Sequence, residues 1–393
     1  MRIIIISILL SLSGSAQTQV TNDIWLQAKM TGNLWLDGGG STEFWGYGIY
    51  DPVSGPGPAI YLPGPLLRFN EGDSVNVHFL NNAPEDHTIH WHGLDVNTAN
   101  DGVPTTSSTV EPDSTRVYRF LCTNAGTFNY HCHVFTTLHL AMGMYGLFVV
   151  DPDSTRTRIY TNGPRYTKDY NWLASEHNTN WSDNILSPGL LTLYQADYLM
   201  LNGKSGSQLL TGPSSVTGTT NDTIAMRLGN MGYGMVRYIF PPAADMTVYM
   251  SDGRAIPNPT NTDTIDVYSG ERYSVILDPD SEFNEMVTIE YFDLRTNELL
   301  GTNLVPIIID DLSLEENEKV PGIELLGNPV QDYLTFKIDD SNIETVSVYS
   351  TTGGLIESRK VMQGVNIIPI NLGPGLYFIT EENNGGSIQF IVQ

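Results

Sequence analysis

The sequence predicts an all-β protein: two Greek-key β-sandwiches followed by a smaller β-sandwich. Alternating apolar and polar residues recur in short runs such as SVNVHFLN, STRVYRFLC and MYGLFVV, and a period of two marks strands rather than helices. Pro, Gly, Asn and Asp interrupt these runs at short intervals, as turns between antiparallel strands require. The chain has 393 residues, enough for two or three domains with cores of their own.

Along the chain, residues 1–16 read as a signal peptide: Arg2, the apolar run IIIISILLSL, then GSA before Gln17. That run is too short to span a bilayer. Residues 22–152 form the first sandwich, which opens with a strand and a glycine turn near 32–46 that put Trp35 and Trp45 in the core. Residues 153–310 form the second sandwich, where Met231, Met235, Met246 and Met250 read as packing residues. An acidic linker, 311–319, leads to a third module, 320–393. Its runs NPVQDYLTF, VSVYSTTGGLI and LGPGLYFI are strand-like and carry no metal-binding side chains.

Composition narrows the function. The formal charge is −25, from 44 acidic against 19 basic residues, which argues against nucleic acid as a partner and favours cationic or neutral substrates. Two cysteines give no disulfide framework in an exported chain. Cys122 reads as a small buried hydrophobe.

Six of the eight histidines fall in two runs, HTIHWHG at 87–93 and YHCHVFTTLHLAMGM at 130–144. Strand periodicity puts His90 and His92 on one face, and likewise His131 and His133, with Cys132 opposite. Cys132 with His87, His139 and a thioether, Met144 or alternatively Met142, composes the trigonal His2Cys set with a weak axial Met that suits electron-transfer copper. His90, His92, His131 and His133 compose a separate imidazole face. A zinc hydrolase needs neither the cysteine between histidines nor the methionine after it. His78 and His177, the latter in the polar stretch SEHNTN, read as ordinary surface or core residues.

These runs resemble the multicopper oxidases, the laccase-like blue copper enzymes. The resemblance implies cupredoxin-like sandwiches, with His87, Cys132, His139 and Met144 on a type 1 copper and His90, His92, His131 and His133 on type 2 and type 3 coppers. The catalytic set would be Cys132 with those four histidines. It implies that a small-molecule or metal-ion reductant is oxidised near an exposed edge of His139 or His87, and that dioxygen is reduced to water. Asp95 and Asp101 are candidates for proton relay or outer hydrogen bonds. PGPLLRFNEGDSVNVHFLN, DGVP and AGTFNYH resemble the surroundings of the family's first-domain histidines, and YLMLNGK, RLGNMG, SDGRA and SGERYSVILDP resemble its metal-free second domain. His139 stands seven residues after Cys132 where five is common, which reads as two extra loop residues. The third module resembles the sorting domain of the type IX secretion system, with a carbohydrate-binding module as the alternative. That resemblance implies passage across the outer membrane by the secretion machinery.

The resemblance also sets a demand that the sequence does not meet. The family's three-copper cluster takes eight histidines from two domains, and this chain offers four. A homo-oligomer that brings two such faces together restores the number. The alternatives are an enzyme like the copper nitrite reductases, or a blue copper carrier that needs the cysteine site alone.

Overall fold

The computed structural model describes residues 21–179, 194–210, 213–310, 322–326, 330, 333–350, 354–370, 372–373, 375–381 and 387–392. The signal segment and the linker read from the sequence lie outside them. The first module runs β1 (Thr21–Trp35), β2 (Ser41–Ile49), β3 (Gly64–Asn70), β4 (Ser74–Asn81), β5 (His90–His92), β6 (Thr115–Leu121), β7 (Gly126–His131), α1 (Thr136–Ala141) and β8 (Tyr145–Asp151). Its two sheets have the orders β2-β1-β4-β6 and β3-β8-β7-β5. In β4 the alternate residues Val75, Val77 and Phe79 are fully buried. They pack with Phe69, Trp91, Tyr118 and Phe148 into one core, and Cys132, Met142 and Met144 belong to it.

Two expectations change here. The strands are not all antiparallel, because β1 pairs with β4, and β3 with β8, in parallel. Alternation reports which face is buried and carries no information on strand direction. Trp45 is buried, but Trp35 is 69% exposed. Trp35 ends β1 opposite Ser41, beyond a register shift between Lys29 and Gly32, where the ribbon leaves the sandwich.

The second module contains β9 (Lys168–His177), β10 (Tyr198–Leu201), β11 (Val216–Gly218), β12 (Ile224–Asn230), β13 (Met235–Ile239), β14 (Met246–Ser251), β15 (Arg254–Asn261), β16 (Thr264–Val267), β17 (Arg272–Leu277), β18 (Phe283–Phe292) and β19 (Leu299–Ile309). They make sheets ordered β10-β9-β12-β17-β14-β15 and β11-β19-β18-β13-β16. All four methionines named above are buried. His177 is not in a loop: it ends β9, is buried, and its Nδ1 lies 3.0 Å from the Ala141 carbonyl of the first module. Both faces of β9 are covered there, so the polar letters of SEH misled the reading.

Buried charge joins the two modules. The Arg68 guanidinium of β3 donates to Asp151 at 2.6 and 2.8 Å and lies 2.5 Å from Asp169 of β9. Arg227 of β12 reaches Asp151 at 3.2 Å and Asp169 at 3.0 Å. Arg156 forms a longer ion pair with Asp151, 3.3 Å, without hydrogen-bond geometry. The third module, sheets of three and four strands, builds a separate core around Leu334, Phe336, Ile338, Ile379 and Phe390. Its Tyr333 ring meets Tyr61 of the first module at 4.0 Å.

Candidate metal centres

Antiparallel pairing of β5 with β7 sets His90 opposite His131, Trp91 opposite Tyr130 and His92 opposite Asn129. The alternation sends Trp91 into the core and His90 and His92 outward. Just before β5, His87 is held by a backbone bridge to Val110, and just after β7 the Cys132 amide donates to the Met144 carbonyl at 3.1 Å. These anchors turn the neighbours of each strand back into the sandwich.

There the Cys132 Sγ lies 3.5 Å from His87 Nδ1 and 3.1 Å from His139 Nδ1. The ligand atoms of the three residues lie within 4.8 Å of one another, and all three side chains are buried. His139 reaches the site from α1, whose preceding residue Phe135 has a left-handed φ of 41°. The interval after Cys132 is therefore not all loop, contrary to the expectation: residues 133–135 are irregular, and the last three before His139 belong to α1, closed by the Met142 amide on the Leu138 carbonyl. Met142 and Met144 are both fully buried in the surrounding core.

The chemistry of this set fits a soft metal cation. Burial pushes the Cys132 thiol up to about 11, with Thr88 and Val134 amides acting the other way. Burial also holds the imidazoles neutral, His87 down to about 3 and His139 to about 4. Neutral imidazole is the form that ligates, and a metal ion supplies the positive charge that a buried thiolate needs. The Nε2 atoms of His87 and His139 point away from the sulfur and have no hydrogen-bond partner among the described residues.

An exposed imidazole edge was expected here, and the structure corrects this. Both rings are 0% exposed, because His139 is covered by Trp45 and Phe135, each edge-on, and by Glu85, whose carboxylate is 3.6 Å from Nε2. Phe135 is itself 72% exposed, so solvent meets this site through Phe135 and Glu85. Sequence reading passed over both; the only signal was an acid two residues ahead of His87 in PEDH.

The second group lies on the other side of the same backbone. His90 and His131 rings are 5.1 Å apart, His92 and His131 5.4 Å, and His90 and His133 5.2 Å. One nitrogen from each of His90, His92 and His131 lies within 4.8 Å of the others. His90 Nδ1 is engaged by the Asp101 carbonyl at 2.8 Å and its carboxylate at 3.2 Å, and His131 Nδ1 by the Cys132 carbonyl at 2.9 Å. Such bonds fix the tautomer and leave Nε2 of each ring as the ligand atom. His133 contributes its ring beside His90, with its amide on Thr88 Oγ1 at 3.1 Å. Asp101 thus touches the group, whereas Asp95 is turned away in an ion pair with Arg254 at 2.8 Å.

What the second module brings to this face is not imidazole. Gly270 packs so closely on His92 that a β-carbon there would sit 3.0 Å from the ring. A β-carbon on Gly93, whose φ is +86°, would meet the Arg272 guanidinium at 2.2 Å. Burial, and after it the Arg272 charge, brings His92 down to about 4. Arg272 is buried and anchored by the Gly270 carbonyl at 2.6 Å and Asp252 at 3.0 Å. A lone arginine in SGERYSVILDP gave no warning of this role.

Comparison with known proteins adds a family to the geometry. Residues 60–155 and 167–298 match two family models, each described as multicopper oxidase, and residues 327–393 match a secretion system C-terminal sorting domain. Copper resistance protein A of Escherichia coli is 27% identical over 266 residues, covering 56% of this chain and 42% of that protein. The chain thus spans less than half the length of that curated relative. A blue copper oxidase from Nitrosomonas europaea is 26% identical with a TM-score of 0.58, over 74% of this chain and 86% of that one. A copper nitrite reductase from the same organism shares the fold, with a TM-score of 0.56 at 19% identity over 74% of this chain and 95% of that one.

Proposed function

The chain belongs to the multicopper oxidase family, and from that premise we propose that it oxidises a small-molecule or metal-ion reductant in single-electron steps and passes the electrons to dioxygen. Copper is the cofactor, and when bound it supplies the one-electron chemistry. His87, Cys132 and His139 would hold the type 1 ion, with Met144, or failing it Met142, as the weak axial ligand. His90, His92, His131 and His133 would hold the type 2 and type 3 ions.

The chain's own residues have definite tasks. Burial keeps the His87 and His139 imidazoles unprotonated and ready to ligate, and it excludes water from the Cys132 sulfur. Asp101 orients His90 through two contacts. One peptide bond separates Cys132 from His131 and another separates it from His133, so the cysteine is covalently tied to the imidazole face on both sides. This adjacency, together with the convergence of His87 and His139 on the sulfur, is the observation that carries the reading.

We further infer a homo-oligomer in which two histidine faces meet across a two-fold axis, as isologous contacts allow. Two features support it: the chain's own second module offers this face Arg272 and Gly270, and His90, His92 and His133 are half-buried rather than sealed. The sorting domain directs the chain across the outer membrane, to the cell surface or the medium. An amino-terminal signal peptide at residues 1–16 is our reading of how it first leaves the cytoplasm.

The test is gas uptake by the copper-loaded mature chain supplied with an electron donor. Dioxygen should be consumed in step with donor oxidation, without accumulation of hydrogen peroxide. Donor oxidation that requires nitrite and leaves dioxygen untouched would transfer the protein to the nitrite reductase reading; no turnover at all would leave it an electron carrier.

A further inference from the structure

A cavity of ≈ 280 Å³ lies beside α1 on the side away from the cysteine site. Thr137 lines it, and Thr137 and His139 project about 200° apart around a helix, so the cavity and His139 are on opposite faces of α1. Its other walls include Tyr194, Tyr233, Leu294 and Leu300, with Glu176 of β9 among them. Roughly 150 Å³ suffices for benzene, so one ring with a short substituent fits here.

Glu176 gives the cavity its chemical character. It is 6% exposed, and its carboxylate accepts the Tyr233 amide at 3.1 Å and the Gly234 amide. A carboxylate has about four acceptor positions, so two backbone donors leave it unsaturated. Burial outweighs both donors and lifts the carboxyl to about 7. The cation in the lining, Arg295, lowers Glu176 only weakly through its charge, because it is gripped by Asp293 at 2.6 and 3.2 Å, donates to the Tyr194 carbonyl at 3.0 Å and is 55% exposed at the rim. Around this carboxylate the Tyr194 and Tyr233 rings stand 5.0 Å apart at 65°. Tyrosine faces attract cations, and a buried anion is costly until a cation or a strong donor joins it.

We propose that this cavity is a binding site for a small aromatic ammonium compound, its cationic group on Glu176 and its ring against the wall that Tyr194 and Tyr233 form together. The site lies across α1 from the Cys132 centre. Its ligand is bound and not oxidised, and the proposal stands whether or not the oxidase reading does. The Tyr233 hydroxyl donates to the Thr137 carbonyl, so the wall that would contact the ligand is bonded to the helix that carries His139.

Benzylamine is a suitable probe, with benzyl alcohol as its uncharged counterpart, each titrated calorimetrically into the copper-loaded mature chain. Benzylamine should bind saturably, and Glu176→Gln should weaken it at least about tenfold, the value of one charge-assisted hydrogen bond. Benzyl alcohol should bind more weakly and be indifferent to that substitution. Leu300→Trp, which fills the cavity, should abolish binding of benzylamine with the visible absorption of the cysteine site intact, and that absorption shows that either variant has folded. The proposal is overturned if benzylamine does not bind the unmodified chain, if folded Glu176→Gln binds it equally well, or if the alcohol matches the amine.

Discussion

Replacing Cys132 by serine should erase the intense visible absorption of the copper-loaded protein and cut donor oxidation by more than about a hundredfold, a loss already reached in metalloenzymes by changes to groups that merely hydrogen-bond a ligand. Copper on the histidine face should remain. The sulfur is the atom on which His87 and His139 converge, at 3.5 and 3.1 Å, and no second thiol can replace it. Cys122, the other cysteine, is buried at the end of β6, and burial pushes its thiol well up. Serine fills nearly the same space, so the core around Met142 and Met144 stays packed and the loss reports on the thiolate itself. Absorption spectra with metal analysis decide the matter. A variant that keeps its colour, or loses the colour while turning over donor at the original rate, would remove Cys132 from the electron path.

The largest effect on stability is expected at Asp151. It is 0% exposed and receives Arg68, Arg227 and Arg156, which arrive from both modules. Burial would raise its carboxyl, but these guanidinium groups, Arg68 foremost, offset that and hold it below its ordinary value. Asp151→Asn keeps the shape and removes the charge, leaving Asp169 and the more distant Glu324 to face three buried cations. Breaking a buried ion pair from one side costs about 3–5 kcal/mol. A denaturant titration should show a loss of that order, and a change below about 1 kcal/mol would mean that the cluster contributes little. Because the folded value is depressed, this contribution is present above the ordinary carboxylate range and lost as pH falls through the folded value. The unmodified protein should therefore weaken in acid at this junction, and the variant less so.

The sequence made the ligand sets legible because their grammar is local: HTIHWHG and HCH place donors by strand alternation alone. It did not make α1 legible, since six residues form too short a helix for periodicity to register. The burial of His139 was hidden for another reason. Besides the nearby Phe135, its covers are Trp45 on β2 and Glu85 before β5, and only folding brings those two near. Parallel pairing of β1 with β4 was likewise invisible, because alternation is identical in either direction. Arg272 and Glu176 had no pattern at all; each matters through what packs around it.

The central claim is that one module carries a complete cysteine site and half of a shared histidine cluster. Copper per chain, measured together with the mass of the native particle for the mature protein, tests it most directly. The account predicts a two-chain particle with about two and a half coppers per chain, one at each Cys132 and three shared across the two-fold axis. A monomer holding a single copper per chain, or any particle holding two per chain, would contradict it.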